Sequence, residues 1–238
     1  MKMAKLLNSF ILLFISIFSV TEAHAMSSDF NAKEQAIIPI AAHTAAGEIE
    51  QLQASLNAGL DAGLTVNEIK EVLVQMYAYT GFPRSLNALG TFMKVLEERK
   101  AKGINDTEGE AGKSIPAGKS SLEIGHANQT TLIGQEVKGA LFDFAPAVDE
   151  YLKAHLFGDI FERGVLSWKD REIATIAALA NVKGLGSQLG SHYFISMNNG
   201  ITPAQLQTFV GLMKHACGEE VANHAQQVLD QVLAASKK

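Results

Sequence analysis

Residues 33–96 can be laid on residues 170–233 without a gap, and eleven of the 64 positions are then identical. Identity at that level is weak by itself. The kinds of residue that coincide make it stronger: Gly47 with Gly184, Gln51 with Gln188, Gly63 with Gly200, Thr65 with Thr202, and Gly81 with Gly218. Each aligned glycine or capping threonine asks the backbone for the same local event twice. The chain is therefore expected to contain a helical unit of roughly 65 residues duplicated in tandem, somewhat longer than a usual solenoid repeat. Whatever the unit folds into must be built twice and packed in one chain.

The unit reads as helical. Strand signals are scarce, and runs such as "KEQAIIPIAAHTAAGEIEQLQASLNAGLDAG" are rich in alanine and leucine at helical spacing. Thr65 followed by Glu68 is a capping box, and Thr202 precedes Pro203 at a first helical position. The expected fold class is all-α, with 47% apolar residues to fill a core. A formal net charge of −5 and the lack of a basic block argue against a nucleic-acid surface.

The N-terminus reads as an export signal. "MKMAK" is a short basic start, "LLNSFILLFISIFSV" is an apolar stretch too short for a confident membrane span, and "TEAHA" ends in an A-x-A arrangement. Cleavage is expected after Ala25, leaving a periplasmic or secreted chain with no membrane segment. The first unit then occupies residues 26–100, a flexible surface linker residues 101–138, and the second unit residues 139–238. The second unit carries an extra leading helix in "APAVDEYLKAHLFGDIFERGVLSWKDREIATIAALA". Apolar faces on more than one side of the paired helices suggest an oligomer.

Cys217 is the single cysteine, so no intramolecular disulfide, CxxC pair or cysteine-based zinc site can form. His215 and His224 are nine apart, which is not the i,i+4 spacing of a helix-face metal pair. No metal or other cofactor is expected. His43 aligns with Ala180 and reads as local structure. Trp168 reads as an anchor, and Glu68 and Glu71 as capping and surface residues.

"LSWKDREIATIAALA", "GSHYFISMNNGIT" and, in the first unit, "GLTVNEIKEVLVQMYAYTGFPRSLNALGTFMKVL" together resemble the carboxymuconolactone decarboxylase family. The resemblance implies an alkylhydroperoxidase D-like helical bundle in two tandem repeats. It also implies assembly into homo-oligomeric rings, often trimers or hexamers. The related alkylhydroperoxidase D has a glutamate, a CxxC pair and a histidine. Anchored on Gly200, that pattern puts its histidine on His192, its glutamate on Glu172 when one extra residue is allowed between the two, and its cysteines on Leu185 and Gln188. Both thiols are missing, and disulfide-based peroxide reduction needs a thiolate and a resolving partner.

The resemblance thus implies a cofactor-free lyase or decarboxylase acting on a small carboxylated or lactone substrate. Glu172 and His192 would form its acid/base pair, with the carboxylate fixing the imidazole tautomer. The first unit has Gln35 and Ser55 at those places but keeps "YAYTGFPRSLNAL". Tyr77, Tyr79 and Arg84 would therefore line a composite pocket, with Arg84 holding a substrate carboxylate. Two alternatives stay open at this point: an antioxidant protein of the alkylhydroperoxidase type, and a helical binding scaffold without chemistry.

Overall fold

The structure is a computed structural model that describes residues 30–236; the expected signal segment, residues 1–25, lies outside the described residues. Among the described residues there are helices and no strands. In chain order they are α1 (Ala32–Ala46), α2 (Ile49–Asp61), α3 (Val66–Thr80), α4 (Phe82–Ala101), α5 (Ser121–Ile133), α6 (Ala140–Phe144) and α7 (Pro146–Tyr151). A π-helical segment (Leu152–Ile160) and a 3-10 turn (Phe161–Arg163) follow. Then come α8 (Trp168–Ala180), α9 (Gly186–Asn198), α10 (Pro203–Cys217) and α11 (Glu219–Ala235). None of these helices is long and apolar enough to cross a membrane.

The duplication is visible in the caps. Thr65 accepts from Glu68 N at 3.2 Å while its own N–H donates to the Glu68 carboxylate at 2.7 Å. Thr202 and Gln205 repeat the reciprocal pair at 3.1 and 2.9 Å. Gly63 and Gly200, which end the preceding turns, both have positive φ, +93° and +87°. Helices α1 to α4 therefore correspond one by one to α8 to α11.

The two units pack by exchange. Helix α1 lies against α8, its own counterpart. Helix α3 then packs on α8, and α10 packs on α1, as an approximate two-fold relation requires. Ala41, Ala42 and Ala45 on α1 and Ala174, Ala177 and Ala178 on α8 are all buried, and small side chains let helix axes approach closely. One hydrophobic cluster takes in residues of both units, from Ile38 and Leu73 to Leu206 and Leu229. Each fully buried Leu or Ile there contributes about 1.5–3 kcal/mol relative to exposure.

A polar network crosses the same interface. Arg171 on α8 is fully buried; it donates to Gln75 Oε1 at 3.0 Å and to Glu71 Oε2 at 3.2 Å. Gln75 Nε2 returns bonds to the Arg171 carbonyl and the Thr175 hydroxyl, both at 2.9 Å. The other Glu71 oxygen accepts from Arg163 at 2.7 Å. Glu71 is thus not the surface residue that its sequence context suggests, being only 3% exposed. Desolvation lowers the Arg171 pKa from its ordinary value, and the Glu71 carboxylate works against that shift.

The stretch between the units departs most from expectation. Where a flexible surface linker is expected over 101–138, residues 121–133 form α5, capped by Ser120 and Glu123. Helix α5 crosses the π-helical segment at glycine-to-backbone contact. A Cβ on Gly125 would lie 1.7 Å from the Lys153 carbonyl oxygen, and one on Gly158 would lie 2.3 Å from that of Ser121. The expected leading helix of the second unit is not one regular helix either. It is α7 running into the π-helical segment, which turns through the 3-10 residues to Gly164. Trp168 opens α8 and packs on a small second cluster with Phe157, Ile160 and Phe161.

Candidate active site

Helix α8 carries Glu172 one turn in, fully buried against the core. Helix α9 carries His192 at its middle, facing back across the turn that joins the two helices. His192 Nδ1 and Glu172 Oε2 are 2.8 Å apart, and the histidine side chain is 14% exposed. A carboxylate at that distance holds a proton on Nδ1, so the lone pair sits on Nε2. No described side chain engages Nε2. The second Glu172 oxygen is buried and has no hydrogen-bond partner among the described residues. Such an atom in a native fold calls for a cause, a catalytic role or a bound water among them.

Tyr79 reaches this pair from the first unit. Its ring meets the His192 ring edge-on, with centroids 5.9 Å apart and planes at 79°. Its hydroxyl points into protein, buried and without a hydrogen-bond partner. Burial pushes the phenol pKa far above its ordinary range, and the Glu172 carboxylate pushes it further. The nearby Thr175 hydroxyl offsets part of this, although its own proton is already given to the Arg171 carbonyl at 2.8 Å. Tyr79 therefore stays a neutral phenol beside the Glu172 carboxylate and the His192 ring.

The His192 ring forms part of the wall of a cavity of about 930 Å³. Helix α9 supplies one side with Gln188, His192 and Ile195, and the end of α11 supplies Val232 and Ala235. The opposite side comes from the stretch between the units: Gln129 and Ile133 of α5, Phe142 of α6, and Leu152, Leu156 and Phe157 of the π-helical segment. Sequence reasoning missed this wall. The capping box at Ser120 and Glu123 was the local signal for α5, but nothing local says where that helix docks.

The other expected substrate contacts lie elsewhere. Tyr77 is stacked on Phe82, with centroids 4.3 Å apart and planes at 7°, and is absent from the cavity wall. Arg84 is absent from it too; its guanidinium donates to the Ala45 carbonyl at the end of α1. That bond satisfies one of the free carbonyls of a helix terminus, so Arg84 serves the fold of the first unit. In that unit, Gln35 donates to the Phe30 carbonyl at 2.8 Å and Ser55 to the Gln51 carbonyl at 2.9 Å. Neither makes an acid/base pair.

Residues 18–92 and 146–231 match the profile of the carboxymuconolactone decarboxylase family. The chain belongs to that family. The two matches cover the two units in tandem, as expected for the family's all-α, alkylhydroperoxidase D-like fold. The second match begins with α7 and the π-helical segment, while α5 and α6 fall outside both matches. No curated protein matches the chain significantly.

Family membership brings the thiol question back. At the expected cysteine positions, Leu185 precedes α9 and packs on the core, and Gln188 is in the cavity wall. Cys217 is at the far end of α10 and outside that wall. Burial, followed by the Glu48 carboxylate, pushes its thiol up to about 12. A thiol so shifted is almost wholly protonated at neutral pH and is a poor nucleophile.

Proposed function

We propose that the chain is a cofactor-free acid/base enzyme of the lyase type, acting at carbon on a small lactone or carboxylated compound. The observation that carries this reading is the buried Glu172 carboxylate, 2.8 Å from Nδ1 of a histidine whose ring opens on a cavity. In such a pair Nε2 takes a proton from a carbon next to a carbonyl, or returns one to a carbon that has lost its substituent. Glu172 stabilises the imidazolium formed between the two events and keeps the ring in one tautomer. Tyr79 packs edge-on against the ring and limits its rotation.

Two further parts of the reading concern the setting. The basic start, apolar stretch and A-x-A ending of residues 1–25 support export to a periplasm or out of the cell. Phe82, Leu86 and Met93 form an apolar stripe along α4, each at least 60% exposed, which supports assembly into a homo-oligomer.

The test is turnover of a panel of butenolides and carboxylated lactones by the full chain and by His192→Gln and Glu172→Gln. The expected loss on removing the base is about 10²–10⁴-fold in kcat, with the helical circular dichroism spectrum unchanged. Turnover within twofold of the unaltered chain in both variants would refute the acid/base role.

A further inference from the structure

The cavity over His192 is built for a particular charge type. Among the described residues, its wall contains no Lys, Arg, Asp or Glu. The lysines nearest to it in sequence are already paired: Lys138 with Glu136 at 2.7 Å, and Lys153 with Asp149 at 2.6 Å. Arg84, the cation expected to hold a carboxylate, is committed to the Ala45 carbonyl. Lys237 and Lys238 lie outside the described residues.

Among the described residues, a carboxylate entering this space would lose water and meet no fixed cation to repay that loss. The remaining candidate is an imidazolium at His192. Pairing with the substrate would keep the proton on Nε2 and remove the lone pair that the chemistry needs. The polar groups that the wall does offer, Gln135, Gln188 and Ser191 among them, are neutral amides and hydroxyls. They suit a carbonyl oxygen. Size points the same way, because about 930 Å³ is at the upper end of the ~300–1,000 Å³ that drug-sized ligands occupy. A bare carboxylated five-membered lactone would leave most of it unfilled.

The geometry points to a substrate class: an uncharged, largely apolar, β,γ-unsaturated lactone or ketone of drug-like size, with an acidic C–H between its carbonyl and its double bond. This rests on the acid/base reading of Glu172 and His192, and within it puts a proton shift in the substrate in place of the loss of a group. The step balances without a co-reactant. The C–H bond breaks, its electron pair moves to the carbonyl oxygen as an enolate, and the proton goes to Nε2. With the β,γ double bond this is a dienolate, and return of that proton at its γ carbon yields the conjugated α,β double bond.

The matched probes are a γ-octyl β,γ-butenolide and 4-oxododecanoate, its ring-opened form, which shares the carbon skeleton but is anionic. Calorimetry on the full chain should show the butenolide binding at least about tenfold tighter, the equivalent of 1.4 kcal/mol or more. Ser191→Trp, which fills the cavity from the exposed side of α9, should weaken that binding by a similar factor. The full chain should also convert the butenolide to its conjugated isomer. Equal or tighter binding of the anion, no binding of either probe, or indifference to Ser191→Trp would each overturn the inference. Isomerisation unaffected by His192→Gln would instead overturn the acid/base reading, whatever the binding preference.

Discussion

The two units share four helices in the same order and the capping boxes at Thr65 and Thr202, yet only the second has a carboxylate–imidazole pair facing the cavity; the first unit's His43 and Glu48, 2.7 Å apart, lie outside its wall. Glu172 and His192 in the second correspond to Gln35 and Ser55 in the first. The difference extends beyond those two side chains. The second unit is covered by α5, α6 and the π-helical segment, and these enclose the space above His192. The first unit lends Tyr79 to that site and otherwise serves as a platform. A duplicated fold thus supplies two equivalent frames, and under the proposed function the chemistry belongs to the enclosed one.

The strongest way to break this comparison is to move the pair. A Gln35→Glu, Ser55→His double variant, made in a chain that also carries His192→Gln, should recover no turnover. The second frame should exceed it by about 10²–10⁴-fold, the worth of a positioned base. Recovery to within tenfold of the unaltered chain would show that enclosure by the intervening stretch is dispensable.

The next test concerns the interface, where the two-fold relation is also broken. On the α3–α8 side Gln75 meets Thr175 and Arg171; on the α1–α10 side the corresponding residues are Leu212, Ile38 and Glu34. Arg171→Ala leaves Glu71 buried without its α8 partner and should cost about 3–5 kcal/mol, read from the urea midpoint. Ile38→Val on the α1–α10 side should cost about 0.5–1.5 kcal/mol. Equal costs would mean that the buried ions add nothing special to their side.

A smaller effect is expected at the cover. Gly125→Ala sets a Cβ against the Lys153 carbonyl and should cost about 1–3 kcal/mol by forcing α5 off the π-helical segment. Hydrogen exchange should then quicken across residues 121–133 and stay unchanged in α1 to α4. The smallest effect is expected for Tyr79→Phe. It removes a buried hydroxyl with no partner, so stability should stay level or rise by up to about 1 kcal/mol. Turnover should fall only a few-fold, because the ring edge against His192 remains.

The pH dependence of Cys217 sharpens the contrast with thiol chemistry. Its folded pKa is raised from an ordinary 9.0 to about 12, so the contribution to stability is present below pH 9 and lost as pH climbs through 12. Alkylation by iodoacetamide at pH 8 should be far slower in the native chain than in urea. A native rate matching the unfolded one would reopen a reactive-thiol reading.

What was legible in the sequence was local. Capping boxes at Thr65 and Thr202 and the paired glycines report backbone events within four or five residues, so the duplication and the helices could be read directly. His192 could be aligned because it sits at a fixed step from such a glycine, and Glu172 followed with one extra residue allowed between the two. Arg84 could not be placed that way. Its partner, Ala45, is 39 residues distant, and a free-looking arginine gives no sign that it caps another helix. Glu71 looked like a surface residue for the same reason, since its partner Arg171 is 100 residues away.

By itself, then, the sequence determined the helical units, their duplication, and which copy retains a carboxylate and an imidazole in register. Hydrogen-bonded turns and 3.6-residue periodicity act over short stretches of chain, and residue types record them. Only the tertiary structure decided that Glu172 and His192 are in contact and that a stretch expected to be a linker encloses them. It also showed that no fixed cation among the described residues lines the space they face. Those outcomes depend on distant surfaces excluding water from one another. Burial is a property of the whole assembly of helices, and no short window of sequence records it.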